Sequence, residues 1–160
     1  MFGNSGAQLE IGLDPWSQAV GVMMRGGAGV VGQLVAFDLD LSDAATTSNA
    51  PGVRSSGLAN VRTPVTADAS YGQFCVLQDP ALDDGRVEAV YQGFTYALVQ
   101  KNAGSIAAGD PLFASANTYL DADGLSGDKV IARCLEAVTT PATAVLAKVA
   151  FSGIHSLGVA

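Results

Sequence analysis

Basic residues are few in this sequence. Eight Lys and Arg stand against fifteen Asp and Glu, with one His, and the formal net charge is −7. The eight cations are scattered, and no run of them occurs. Binding nucleic acid requires clustered cations that neutralise several phosphates. No DNA or RNA partner is therefore expected, and no membrane partner, because an anionic bilayer makes the same demand. Charge of either sign is scarce, at 14% of residues against about 25% in ordinary soluble domains. A chain so poor in charge hides much of its surface, and contacts between subunits would hide it. The plainer alternative is an alanine-rich composition.

Cysteine and histidine are scarcer still. Cys75 and Cys134 are far apart, each within an apolar, strand-like run. Cysteine packs there as a small hydrophobe, so buried free thiols are expected; a disulfide between neighbouring strands is the alternative, and spacing alone does not place it. One histidine and two distant cysteines exclude the common zinc spacings. His155 sits in Ser-Gly-Ile-His-Ser near the C-terminus, and no Gly-x-Ser-x-Gly elbow accompanies it. It is expected to be a surface residue, with a small hydrolase built on Ser and His155 as the remaining enzymatic alternative. Asp121-x-Asp123-Gly124 with Asp128 lacks the third oxygen ligand and terminal Glu of a calcium loop, and reads as an Asp-Gly turn. No phosphate-loop pattern occurs, and no helix pattern follows the glycines after Arg25. No catalytic residue, metal ligand or cofactor is assigned, so a non-enzymatic role is expected.

Long apolar runs are also missing. Gly, Asp or Gln interrupts each one, so no segment reads as a bilayer span. No basic stretch followed by an apolar one opens the chain, so no secretory leader is expected, and synthesis in a cytoplasm follows.

What the sequence does have is apolar and turn-forming residues, 49% and 19 glycines respectively. Its 160 residues fit one domain. Residues 1–29 are glycine-rich and irregular, with Pro15 fixing an extended entry, and read as an extended N-terminal arm carrying Phe2, Leu9, Ile11, Leu13 and Trp16. These side chains either tuck into the chain's own core or lie on a neighbouring subunit. Residues 30–160 read as a single β domain. Residues 31–42 alternate strictly, Val31, Gln33, Val35, Phe37, Leu39 and Leu41 on one face, with Asp38 and Asp40 on the other, as a half-buried strand does. Asp38, Asp40 and Asp43 would keep the outer face wet. Residues 43–70 are small, polar and turn-rich, and read as a long loop that orders on contact with a partner, with room for a short strand at 58–61.

From Tyr71 the chain reads as strands separated by turns: 71–78, 86–99, 112–114, 130–138 and 143–151. Within 86–99 the alternation slips at Gly93, which predicts a bulge or bend. Helical periodicity is weak throughout. Short strands at near-regular spacing predict an all-β fold, a small β-barrel or β-sandwich of jelly-roll-like or tulip-like form.

Residues 86–151 also carry a resemblance. After the 86–99 strand pair come Gly104-Ser-Ile-Ala-Ala-Gly-Asp-Pro-Leu-Phe, an acidic turn, Val130-Ile-Ala-Arg-Cys-Leu-Glu-Ala-Val and Thr143-Ala-Val-Leu-Ala-Lys-Val-Ala-Phe. This stretch resembles the bacteriophage head decoration proteins, or capsid cement proteins, with Ile106, Gly109, Asp110, Leu112, Glu136 and Ala137 as the matching positions. The resemblance implies a small β-barrel, usually a homotrimer, on the outer surface of a virion. It implies the major capsid protein as partner, attachment at three-fold or quasi-three-fold points, and no active site. By position and composition alone, Phe2, Leu9, Ile11, Leu13 and Trp16 and the 43–70 loop are the candidate capsid or subunit contacts. The alternative is another phage or surface binding module, from a tail, fibre or carbohydrate-binding domain, using an aromatic platform built from Tyr91, Phe94, Tyr96 or Tyr119.

Overall fold

A computed structural model describes residues 17–38, 59–66, 68, 73–114, 116–124, 128–139, 141–153 and 158–159. Phe2, Leu9, Ile11, Leu13 and Trp16 lie outside the described residues, as do His155, Asp40, Asp43 and most of the expected 43–70 loop.

The named elements are all strands: β1 (Gln18–Arg25), β2 (Leu34–Phe37), β3 (Ala59–Arg62), β4 (Phe74–Leu77), β5 (Arg86–Gln100), β6 (Pro111–Phe113), β7 (Leu120–Asp121), β8 (Lys129–Cys134), β9 (Val145–Ser152) and β10 (Gly158–Val159). β1 pairs with β3 and β5, β3 with β2, β2 with β4, and β4 with β5. That circuit is a closed five-stranded barrel. Beyond it, β5 pairs with β9 and β7, β7 with β6, β6 with β8, and β8 with β9. The pairing thus closes a second time, and β5 belongs to both circuits.

The length of β5 makes this sharing possible. Residues up to Gln92 face β1, and residues from Gln92 to Val99 face β9. Gly93, one residue past the point where the two stretches meet, takes φ +115°, a backbone conformation that glycine adopts freely and other residues avoid. Before it, Val87 and Ala89 point into one core; after it, Ala97 and Val99 point into the other. The core-facing positions keep the same phase throughout, and the slip of alternation in the sequence comes from Phe94, Tyr96 and Leu98, which lie on the face of β5 turned away from the second core.

The two clusters are divided by β2 and β4. Val35, Cys75 and Leu77 pack with Val22, Met24, Val61 and Val87 inside the first circuit. Leu34, Ala36, Phe74 and Val76, from the opposite faces of the same two strands, pack with Leu112, Leu120, Ile131, Val149 and Phe151 of the second. A strand covered on both faces needs an apolar side chain at nearly every position, and Leu-Val-Ala-Phe and Phe-Cys-Val-Leu supply them. Each such side chain contributes about 1.5–3 kcal/mol on burial. The half-buried strand expected over 31–42 is therefore a short strand covered on both sides. Asp38, expected to wet an outer face, is buried, with its carboxylate 4.0 Å from Arg62 Nε.

Backbone bonds close the seam between the circuits. Phe74 N–H donates to Gly153 O at 2.9 Å, Gly153 N–H to Tyr91 O at 2.9 Å, Leu98 N–H to Gly32 O at 2.7 Å, and Leu34 N–H to Thr118 O at 2.9 Å.

Two boundaries need correction. Within the extended arm expected over 1–29, residues 18–25 are a barrel strand instead, and residues 1–16 lie outside the described residues. Val20, Val22 and Met24 alternate inward, and Gly21 and Met23 take the other face. The expected 43–70 loop is interrupted by β3, close to the short strand foreseen at 58–61, and by a turn in which Asp68 accepts from Val65 N–H at 2.7 Å and from Arg62 at 2.6 and 3.2 Å.

Candidate interaction surface

β8, β9 and β5 form a three-stranded wall of the second circuit. Their inner positions, Ala132, Cys134, Ala147, Val149, Phe151, Ala97 and Val99, fill its core. The alternate positions face outward and stand in rows set by the register. Arg133, Ala150 and Phe94 form one row. Lys148 and Tyr96 form the next, extended by Leu135, whose N–H donates to Lys148 O at 2.9 Å. Leu146 and Leu98 form the third. Tyr96 is 46%, Leu146 49% and Leu135 41% exposed.

The loop before β2 borders this wall. Gly32 accepts from Leu98 N–H, and a Cβ on Gly32 would run into Leu146 Cδ2. Val30 and Val31, both exposed, flank that contact. At the opposite corner the Ser17 hydroxyl donates to Phe94 O, so the chain enters β1 beside the first row. The result is one continuous outward face of Phe94, Tyr96, Leu98, Leu135 and Leu146, with Arg133 and Lys148 among them. Of the other large exposed apolar residues, Val65 and Leu82 lie on separate loops and Val145 begins β9. Single exposed apolar residues are normal; a contiguous group marks an interaction surface.

The four aromatic residues considered as a platform do not converge. Tyr91 packs partly against the first core. Phe94 and Tyr96 share the outer face of β5. Tyr119 is half-buried just before β7, and its phenol is pushed up by burial and by the Asp121 carboxylate.

The residues that carry the family resemblance build the second circuit. Ile106 is buried and bridges to Val138, with N–H to O distances of 2.9 Å in both directions. Gly109 takes φ +94°, and Asp110 closes its turn by accepting from Ala107 N–H at 2.9 Å. Leu112 is fully buried. The Glu136 carboxylate accepts from Lys148 N–H at 2.8 Å, tying the end of β8 to the middle of β9.

Asp121 and Asp123 behave as turn residues. Asp121 accepts from Asp123 N–H at 2.8 Å, and Asp123 accepts from Asn102 N–H at 2.5 Å. Cys75 and Cys134 are free thiols, both buried. Burial pushes each thiol up, and for Cys134 the nearby Glu136 and Asp110 carboxylates add to the shift against opposing backbone hydrogen bonds. A hollow of about 410 Å³ on the first circuit is lined by Gly21, Asp79, Arg86, Val87 and Glu88; its polar side chains are two carboxylates and one guanidinium.

Sequence reasoning named Phe94 and Tyr96 for an aromatic platform but missed Leu98, Leu135 and Leu146 beside them. Phe94, Tyr96 and Leu98 were readable as one face of a strand, but which face meets water depends on the strand's neighbours. No protein-family model matches the chain, and no curated protein matches it.

Proposed function

We propose that this chain is a structural virion protein that decorates a phage capsid and stabilises it by bridging neighbouring major capsid subunits. The observation that carries the reading is the outward apolar face on a closed β-barrel framework. The carboxylates of Asp68, Asp110, Asp121, Asp123 and Glu136 hold turns and strand ends. A protein of this kind works by covering and joining surfaces, and several weak contacts made at once multiply into firm attachment. The resemblance over residues 86–151 supplies the particular assembly, a homotrimer on the outer shell, assembled in the host cytoplasm; position and composition add Phe2, Leu9, Ile11, Leu13 and Trp16 and the 43–70 loop as further contact elements. A net charge of −7 agrees with a place outside the shell, away from packaged DNA.

Cosedimentation with heads that lack decoration tests this. The full chain is expected to saturate the heads at a number of copies divisible by three and to raise their resistance to heat. Heads that sediment without it would remove the proposal. A carbohydrate-binding module is the second reading, favoured by Phe94 and Tyr96 standing two residues apart on one face; retention on a glycan array, lost in Tyr96→Ala, would select it.

A further inference from the structure

We propose that residues 1–16 of one copy lie across the outer β8–β9–β5 face of a neighbouring copy. The inference names the surface for the subunit contact in the decoration reading, and rests on that reading only for the expectation of a closed trimer.

Four observations lead to it. First, the face is contiguous and apolar, and within the single chain Tyr96, Leu135 and Leu146 stay exposed. Second, the bond from the Ser17 hydroxyl to Phe94 O fixes where residues 1–16 end, at a corner of this face of their own copy. Third, those sixteen residues reach far enough. An extended chain spans about 3.3–3.6 Å per residue, so the segment covers about 50 Å, whereas three strands spaced about 4.8 Å apart present a width of only about 10 Å between outer axes. The segment is long enough to cross its own face or that of another copy, and the closed trimer of the decoration reading selects the other copy. Fourth, the chemistry is complementary. Leu9, Ile11 and Leu13 alternate, so an extended segment presents them together. Its only charged side chains are Glu10 and Asp14. The cations set among the apolar residues of the face are Arg133 and Lys148, and neither forms an ion pair among the described residues.

Such a contact is heterologous: segment on one side, sheet face on the other. It closes into a ring when the rotation between copies permits, and each copy then gives one segment and receives one.

Disulfide trapping in the full chain tests the arrangement. The native thiols of Cys75 and Cys134 are buried and give little background. Ile11→Cys and Leu146→Cys are placed in separate, differently tagged chains, mixed and oxidised. A cross-linked pair of chains is expected at least tenfold above a control mixture of Ile11→Cys with Leu82→Cys, an exposed position on the turn before β5. No excess over the control would overturn the proposal. So would cross-linking confined to single chains that carry both Ile11→Cys and Leu146→Cys, since the segment would then cover its own face. A charge exchange provides a second readout: Glu10→Lys and Lys148→Glu should each weaken subunit association about fivefold, and the pair together should restore it. Full association in both single variants would also count against the contact. Binding to heads is scored separately. Trapping without head binding retires the decoration reading alone; head binding without trapping retires this inference alone.

Discussion

A Cβ added to Gly153 would stand inside the carbonyl group of Phe74. The same pair is joined by a hydrogen bond from Phe74 N–H to Gly153 O. This approach draws the end of β9 onto β4 and brings the two closed circuits together. The obstructing atoms are backbone, which cannot rotate away. Gly153→Ala is therefore expected to destabilise the protein by about 2–3 kcal/mol, at the upper end of overpacking costs, as read by urea denaturation. A variant as stable as the parent would show that the seam can open without loss.

The shared strand makes the two circuits one cooperative unit. β2 and β4 carry core residues on both faces, so neither cluster can lose its packing without exposing the other. Val35→Ala in the first cluster and Leu112→Ala in the second should each lower a single melting transition, by about 2–5 kcal/mol for the leucine. Two separate transitions by calorimetry would contradict this.

Arg25, at the end of β1, is buried with its guanidinium on Asp84. Its Nε lies 3.5 Å from Asn60 Oδ1, and Nη2 has no partner among the described residues. Asp84 is 62% exposed, so only the cation is buried; neutralising Asp84 strands that cation, whereas replacing the cation by an apolar side chain of similar length removes its desolvation cost and leaves Asp84 in water. Asp84 holds φ +58°, which Asn tolerates. Asp84→Asn should cost about 1–3 kcal/mol, while Arg25→Met should be neutral within about 1 kcal/mol. Equal losses in the two variants would refute the asymmetry.

The buried thiols add a pH dependence at the alkaline end. Burial raises Cys75 far above the ordinary 9.0, so the native protein keeps this proton after the unfolded chain has released it. The thiol's contribution is fully present below pH 9 and is lost as pH rises further, because the unfolded state then binds fewer protons. Each such thiol adds a fall of about 1.4 kcal/mol per pH unit. Stability measured near pH 8 and near pH 10.5 should fall less in Cys75→Ala than in the parent. Matching slopes would mean that Cys75 ionises within the fold.

Much of the β architecture could be read from local pattern. The strand at 86–99 was legible because Val87, Ala89 and Tyr91 alternate in one phase and Phe94, Tyr96 and Leu98 in the other, with Gly93 at the change. The buried thiols were legible because each sits inside an apolar run. β1 was not, because glycines at 21, 26, 27 and 29 obscure a sound alternation of Val20, Val22 and Met24. Asp38 was misread because a carboxylate on an alternating strand normally meets water, and nothing nearby in sequence announces Arg62 across the sheet.

The sequence by itself determined that this chain makes short strands and turns, and which residues share a face within each strand, because both follow from side-chain alternation and from the few residues able to take turn conformations. Tertiary structure alone decided that β5 serves two circuits, that β2 and β4 are covered on both sides, and that Tyr96, Leu135 and Leu146 face outward together. Those outcomes depend on which strands become neighbours across long stretches of chain, and pairing of that kind leaves no trace in the spacing of adjacent residues.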